Sequence, residues 1–157
     1  EDIDTFNNLD LIQEKLSSFF SNEDYQKFEK QLMKNFSLQN VVGELTILNA
    51  DKALNAVGMM IDELQIQLHQ TFLAKTIIGL NIHLCCLIER LIKKEEIVSH
   101  INIVDFEKNN QEFINGVRIS FKAIANQYNI TIPISEIAYI YDYVLNNYKT
   151  DMSIDEI

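Results

Sequence analysis

A chain of 157 residues, 47% of them hydrophobic, is long enough for one compact domain with a real core and too short for two ordinary ones. Its 13 Lys and Arg stand against 23 Asp and Glu, a formal charge of -10, and phosphate backbones reward the opposite sign, so no direct nucleic acid contact by this segment is expected. No apolar run approaches the ~20 residues that a membrane-spanning helix needs, which leaves a soluble, cytoplasmic protein with no membrane association as the expectation.

Four glycines and one proline are too few for the turns of many short strands, so the predicted fold is all-α: a bundle of about five helices behind an N-terminal helical lead-in. The lead-in, residues 1–48, starts with a helix predicted over Asp10 to Phe20, with Ile12, Leu16 and Phe19 as its stripe. Ser21-Asn22-Glu23-Asp24 then reads as the capped start of a second helix carrying Tyr25, Phe28, Leu32 and Phe36. A further capping signal, Asn49-Ala-Asp51, opens a long helix in which Leu54, Val57, Ile61, Leu64 and Leu68 alternate in steps of three and four. That seam is read as intramolecular core, with dimerisation as the second reading.

The next helix spans about Lys75 to Lys93, where Lys93-Lys94 suits the negative pole of the helix dipole. Its apolar face is Leu80, Leu84, Leu87, Ile88 and Leu91, and His83 is set into it. Lys94 to Asn110, with Ile97, Ile101, Ile103, Val104 and Phe106, reads as a short helix or a pinned loop. From Gln111 to Tyr128 another stripe runs through Phe113, Val117, Phe121, Ile124 and Tyr128, closed by Asn129 as a left-handed cap. Ile130-Thr-Ile-Pro133 is an extended connector, because proline pushes its predecessor out of helical geometry. The last helix begins near Ser135-Glu136 and buries Ile137, Ile140, Tyr141, Val144, Leu145 and Tyr148, and residues 150–157 form a tail.

Burial disfavours the charged imidazolium, so His83 is expected to stay neutral and nucleophilic near pH 7. The competing reading is a core histidine satisfied by one hydrogen bond. Arg90, seven residues on, returns to nearly the same face about 10 Å along the axis, where it is either a possible phosphate or donor partner or a snorkelling side chain paired with a carboxylate. Glu136 is read as stabilising the N-terminus of its helix, and the tyrosines around the last helix as packing. His69 and His100 are read as ordinary polar-face residues without metal-ligand spacing, and Cys85 and Cys86 as small apolar fillers. No cofactor and no metal are expected. There is no glycine-rich phosphate loop and no nucleophile-base spacing, so the segment is not expected to be an enzyme.

Two separated motifs carry a resemblance. Leu80-x-x-His83-Leu84 with Ile88 and Arg90 resembles the first phosphohistidine helix of the PTS regulation domain, or PRD, and Ile130-x-Ile-Pro133 with Glu136, Tyr139 and Ile140 resembles the start of its final helix. The PRD is an all-α module of bacterial antiterminators and transcriptional activators, and the resemblance covers residues 49–149. The wording around Leu48 to Asp51 and Gly79 to Leu91 is most like that of LevR-like sigma-54-dependent activators, which carry DNA-binding and ATPase domains elsewhere in the chain.

The resemblance implies a regulatory domain whose phosphoacceptor is His83, phosphorylated by HPr or an enzyme IIB component and signalling through altered domain or homodimer packing. Glu1-Asp2-Ile3-Asp4 has no initiator methionine and no signal-peptide pattern, which fits a segment of a longer polypeptide. Two positions depart from antiterminator PRDs: Ile82 stands where an aspartate commonly precedes the first histidine, and Tyr143 where a second histidine is common. A tyrosine cannot take over phosphohistidine chemistry. The alternative function is therefore a constitutive helical dimerisation or spacer module.

Overall fold

The computed structural model describes residues 22–41, 45–95 and 102–155, and these form six helices and no strand: α1 Asn22–Val41, α2 Ala50–Leu68, α3 Ala74–Ile92, α4 Ile103–Asn109, α5 Gln111–Tyr128 and α6 Ile134–Asp155. The all-α expectation holds. The helix expected over Asp10 to Phe20, together with His100 and the packing of Tyr148, lies outside the described residues.

In α1 the residues that turn inward are Met33, Ser37 and Val41, whereas Phe28 of the predicted stripe is 39% exposed and Leu32 and Phe36 are half-buried. Ser37 hides this register, because a serine reads as a polar break in the pattern. Its hydroxyl donates to the Met33 carbonyl at 2.9 Å and accepts from Asn81 Nδ2 at 3.2 Å, so the polar atom is satisfied where α1 meets α3.

Asn49 caps α2 as expected, its Oδ1 accepting from the Lys52 N–H at 3.0 Å. The seam residues Leu54, Val57, Ile61 and Leu64 are buried, joined by Ala53 and Met60, and α2 lies against α5 and α3. The seam is intramolecular core. His69 ends α2 in the left-handed region at φ 54°, its N–H directed to the Gln65 and Ile66 carbonyls.

Of the undecided stretch after α3, residues 96–101 lie outside the described residues and residues 103–109 form the short α4, capped by Asn102, whose Phe106 enters the core and meets Tyr141 edge-on at 5.3 Å. Asn129 terminates α5 with φ 53° and ψ 52°, the cap foreseen for it. In the connector that follows, Ile132 is buried and its carbonyl accepts from Arg118 Nη1 at 3.2 Å. The Pro133 carbonyl then accepts from the N–H groups of Glu136 and Ile137, which starts α6 against α3.

Candidate functional site

Helices α3 and α6 meet along a narrow antiparallel ladder of side chains. Tyr143 lies over Gly79: a Cβ at that glycine would stand 1.7 Å from the Tyr143 hydroxyl. One turn along α3, the ring of His83 stacks on Tyr139, with centroids 4.3 Å apart and planes 20° from parallel. Two turns further, Arg90 Nη1 donates to Glu136 Oε1 at 2.9 Å. As the α3 numbers rise, the α6 numbers fall, which brings a histidine and an arginine of one helix against two tyrosines and a glutamate from distant sequence in one strip.

His83 is partly exposed rather than sealed in the core. Beside the apolar face of its own helix, the ring lies flat on Tyr139, itself 47% exposed. Burial, and secondarily the charge of Arg90, lower its pKa from the ordinary 6.5 to about 4, so the ring is neutral at pH 7. Nε2 is buried with no hydrogen-bond partner among the described residues. Within this strip Nε2 therefore gains no hydrogen bond from the described residues, and the ring is held by its stack on Tyr139.

The lowered pKa has a consequence for stability. Between pH 6.5 and about 4 the unfolded chain binds a proton at His83 that the folded chain does not, so stability falls as the pH drops through that window and is unaffected by His83 above it. Denaturation midpoints followed from pH 7.5 to 4.5 should fall more steeply for the wild type than for His83→Gln. Parallel curves would show that His83 carries no such shift.

Arg90 is partnered across the neighbouring helix. Its side chain is 22% exposed while that of Glu136 is 3% exposed, so the pair has a buried anion and a cation at the rim. Glu136 Oε2 has no partner among the described residues. Glu136 stands in the first turn of its own helix, as expected of it, and in addition pairs with α3.

Sequence reasoning missed Glu89. Its Oε1 accepts from the backbone N–H of Thr46 at 2.7 Å, of Ile47 at 2.6 Å and of Leu48 at 3.4 Å, and Oε2 lies 3.8 Å from Lys93 Nζ. Burial pushes this carboxyl up, but the N–H groups of Ile47, Thr46 and Leu48 and the Lys93 ammonium outweigh it and hold the pKa below the ordinary value. Glu89 thus fastens the loop before α2 to the histidine helix and is not a free repulsive charge beside His83. The available signal was a carboxylate between Ile88 and Leu91 in an apolar run.

Cys85 is fully buried beneath this strip, and burial, with the neighbouring Cys86, pushes its thiol up to about 12. It is a filler and a poor nucleophile. Among the described residues no three His, Cys, Asp or Glu side chains gather into a metal-binding group, and no helix is long and apolar enough to cross a membrane.

The family model described as PRD domain matches residues 58–147, which contain every member of the strip. The chain belongs to the PRD domain family. A PRD is a PTS regulation domain, a module of regulators that interacts with proteins of the sugar phosphotransferase system. The match begins within α2 and ends within α6. No curated protein and no solved structure matches the chain.

In this PRD the Tyr143 phenol is pressed on Gly79, and that contact is testable. Gly79→Ala gains about 1 kcal/mol of helix propensity but drives a methyl into the Tyr143 ring, a rigid group that can yield only by leaving its seat. A net loss of about 1–3 kcal/mol is expected in chemical denaturation. Tyr143→Ala in the same chain should relieve most of it, and an additive pair would contradict the contact.

Proposed function

We propose that this PRD is the regulatory module of a bacterial transcriptional regulator and that His83 is its phosphoacceptor, with HPr or enzyme IIB as the donor. The observation that carries the reading is a neutral, partly exposed imidazole between α3 and α6, with a guanidinium at the rim of the same strip. Transfer between histidines needs positioning and charge stabilisation more than it needs an added catalyst. The His83 lone pair forms a P–N bond as the bond from phosphorus to the carrier's own side chain breaks, and the breaking pair of electrons stays on the carrier. One proton leaves the His83 ring and one is taken up by the carrier. The domain is the substrate in this step and not an enzyme.

A phosphoryl group brings close to two negative charges to a strip that already holds Glu136. Helix or dimer packing is the element that responds, and the parent reads the change. We assign the parent to the LevR-like sigma-54-dependent activators, cytoplasmic homodimers whose DNA-binding and ATPase domains lie outside this segment. Met59, Ile66 and Ile119, exposed on α2 and α5, offer apolar surface for such an assembly.

Incubation with phosphorylated HPr and with phosphorylated enzyme IIB, followed by mapping of acid-labile phosphate, tests the assignment. Label is expected on His83 and should vanish in His83→Ala. Label that survives this substitution overturns it. Failure of both donors on the wild type would favour the constitutive spacer reading, to which Tyr143 at the second site lends weight.

A further inference from the structure

Arg90 has one anion as its ion-pair partner among the described residues, and Glu136 has one cation. The ammonium of Lys93 is directed to Glu89 Oε2, while Glu89 Oε1 accepts from backbone donors of the loop before α2. A phosphoryl group on His83 would therefore find a single guanidinium in reach, and that guanidinium is already in use. The separation of about 10 Å between positions 83 and 90 is spanned from both ends, since an arginine on a helix leans back toward the N-terminus and a phosphoryl group projects beyond the ring.

Resting on the phosphoacceptor reading of His83, we propose that Glu136 is the internal stand-in for the phosphate: phosphorylation transfers Arg90 from Glu136 to the phosphoryl group, and the stranded carboxylate releases the first turns of α6 from α3. Three observations support the exchange. The phosphoryl group offers nearly twice the charge of a carboxylate and three acceptor oxygens. The cation, 22% exposed, sits at the rim, whereas the anion it would leave is 3% exposed. Glu136 Oε2 has no second partner among the described residues to hold the charge once Arg90 has gone.

A buried carboxylate without a counter-ion must move to water or give up its charge, and both disturb the helix start built on Pro133. Tyr139, one turn on, is carried with it, because the phosphorylated ring can no longer lie flat beneath the phenol. The moving element is thus the N-terminal half of α6, and the helices of the α2–α5 seam remain in place.

Amide hydrogen exchange on the whole chain decides the matter. With a fixed anion in His83→Glu, residues 134–145 should exchange about tenfold to a hundredfold faster than in the neutral control His83→Gln, with α2 still protected. Adding Glu136→Gln to His83→Glu should return these amides to the rate of Glu136→Gln alone. Equal rates in His83→Glu and His83→Gln, or a double variant as fast as His83→Glu, would overturn the relay. Should His83→Glu unfold altogether, Arg90→Gln serves instead, since it removes the shared cation: loosening confined to α6 supports the proposal, and loosening spread equally to α2 refutes it. Failure of phosphate uptake counts against the acceptor reading, whereas the fixed-charge variants judge the exchange itself.

Discussion

Arg90→Ala should destabilise the domain by about 3–5 kcal/mol, the usual penalty when one partner of a buried ion pair is removed and the other stays behind. Glu136 cannot compensate locally: its side chain is 3% exposed, and Oε2 has no partner among the described residues. The effect should be asymmetric. Glu136→Gln leaves the guanidinium, at 22% exposure, close enough to solvent to be rehydrated, so its cost should be smaller. Combining the two substitutions should recover a large part of the loss, because the double variant buries no charge. Urea denaturation of the four chains measures this cycle, and a cost for Arg90→Ala below about 1 kcal/mol would place the pair in the class of solvated surface bridges.

Glu89→Ala should be similarly severe, about 3 kcal/mol or more, for a different reason. Here the loss is of an acceptor: the backbone N–H groups of Thr46 and Ile47 donate to Glu89 Oε1 at 2.7 and 2.6 Å, and alanine leaves them searching for water. Glu89→Gln keeps an oxygen but no charge and should fall between the two. The pH signature distinguishes the carboxylate from a packing effect. Because the folded pKa lies below the unfolded one, the stability that Glu89 supplies is present above the unfolded pKa and is lost as the pH falls through the folded one. In the alanine variant that portion of the acid limb should be absent. An unchanged limb would assign the cost to lost packing.

Helices declare themselves through local chemistry, which is why so much of this fold was legible. Asn49, Asn129 and Pro133 act within a turn of where they stand, and their roles followed from residue type and spacing alone. The seam from Leu54 to Leu68 was legible for the same reason, since its steps of three and four mark one helical face. Ser37 and Met33 were missed because the inward register of α1 includes a hydroxyl, and apolar periodicity cannot show a polar atom whose partner, Asn81, is 44 residues away.

The candidate site was half visible. His83 and Arg90 stood out on one helix, but Glu136 and Tyr139 acquire their meaning only when α6 is laid antiparallel on α3. Nothing local to Glu136 distinguishes a carboxylate that answers its own helix dipole from one that reaches another helix. The clasp made by Glu89 was missed because the backbone donors that absorb its charge come from a loop with no signature in side-chain pattern.

The Glu89 clasp also sets where the domain can be cut. The family match starts at residue 58, halfway along α2, yet the residues that grip the histidine helix from the other side are 46 to 48. A fragment trimmed to the recognisable stretch would sever α2 and leave an acid group on α3 facing an empty berth. The family match is thus shorter than the set of residues that hold the histidine helix, and a fragment that keeps this clasp has to include residues 46–48.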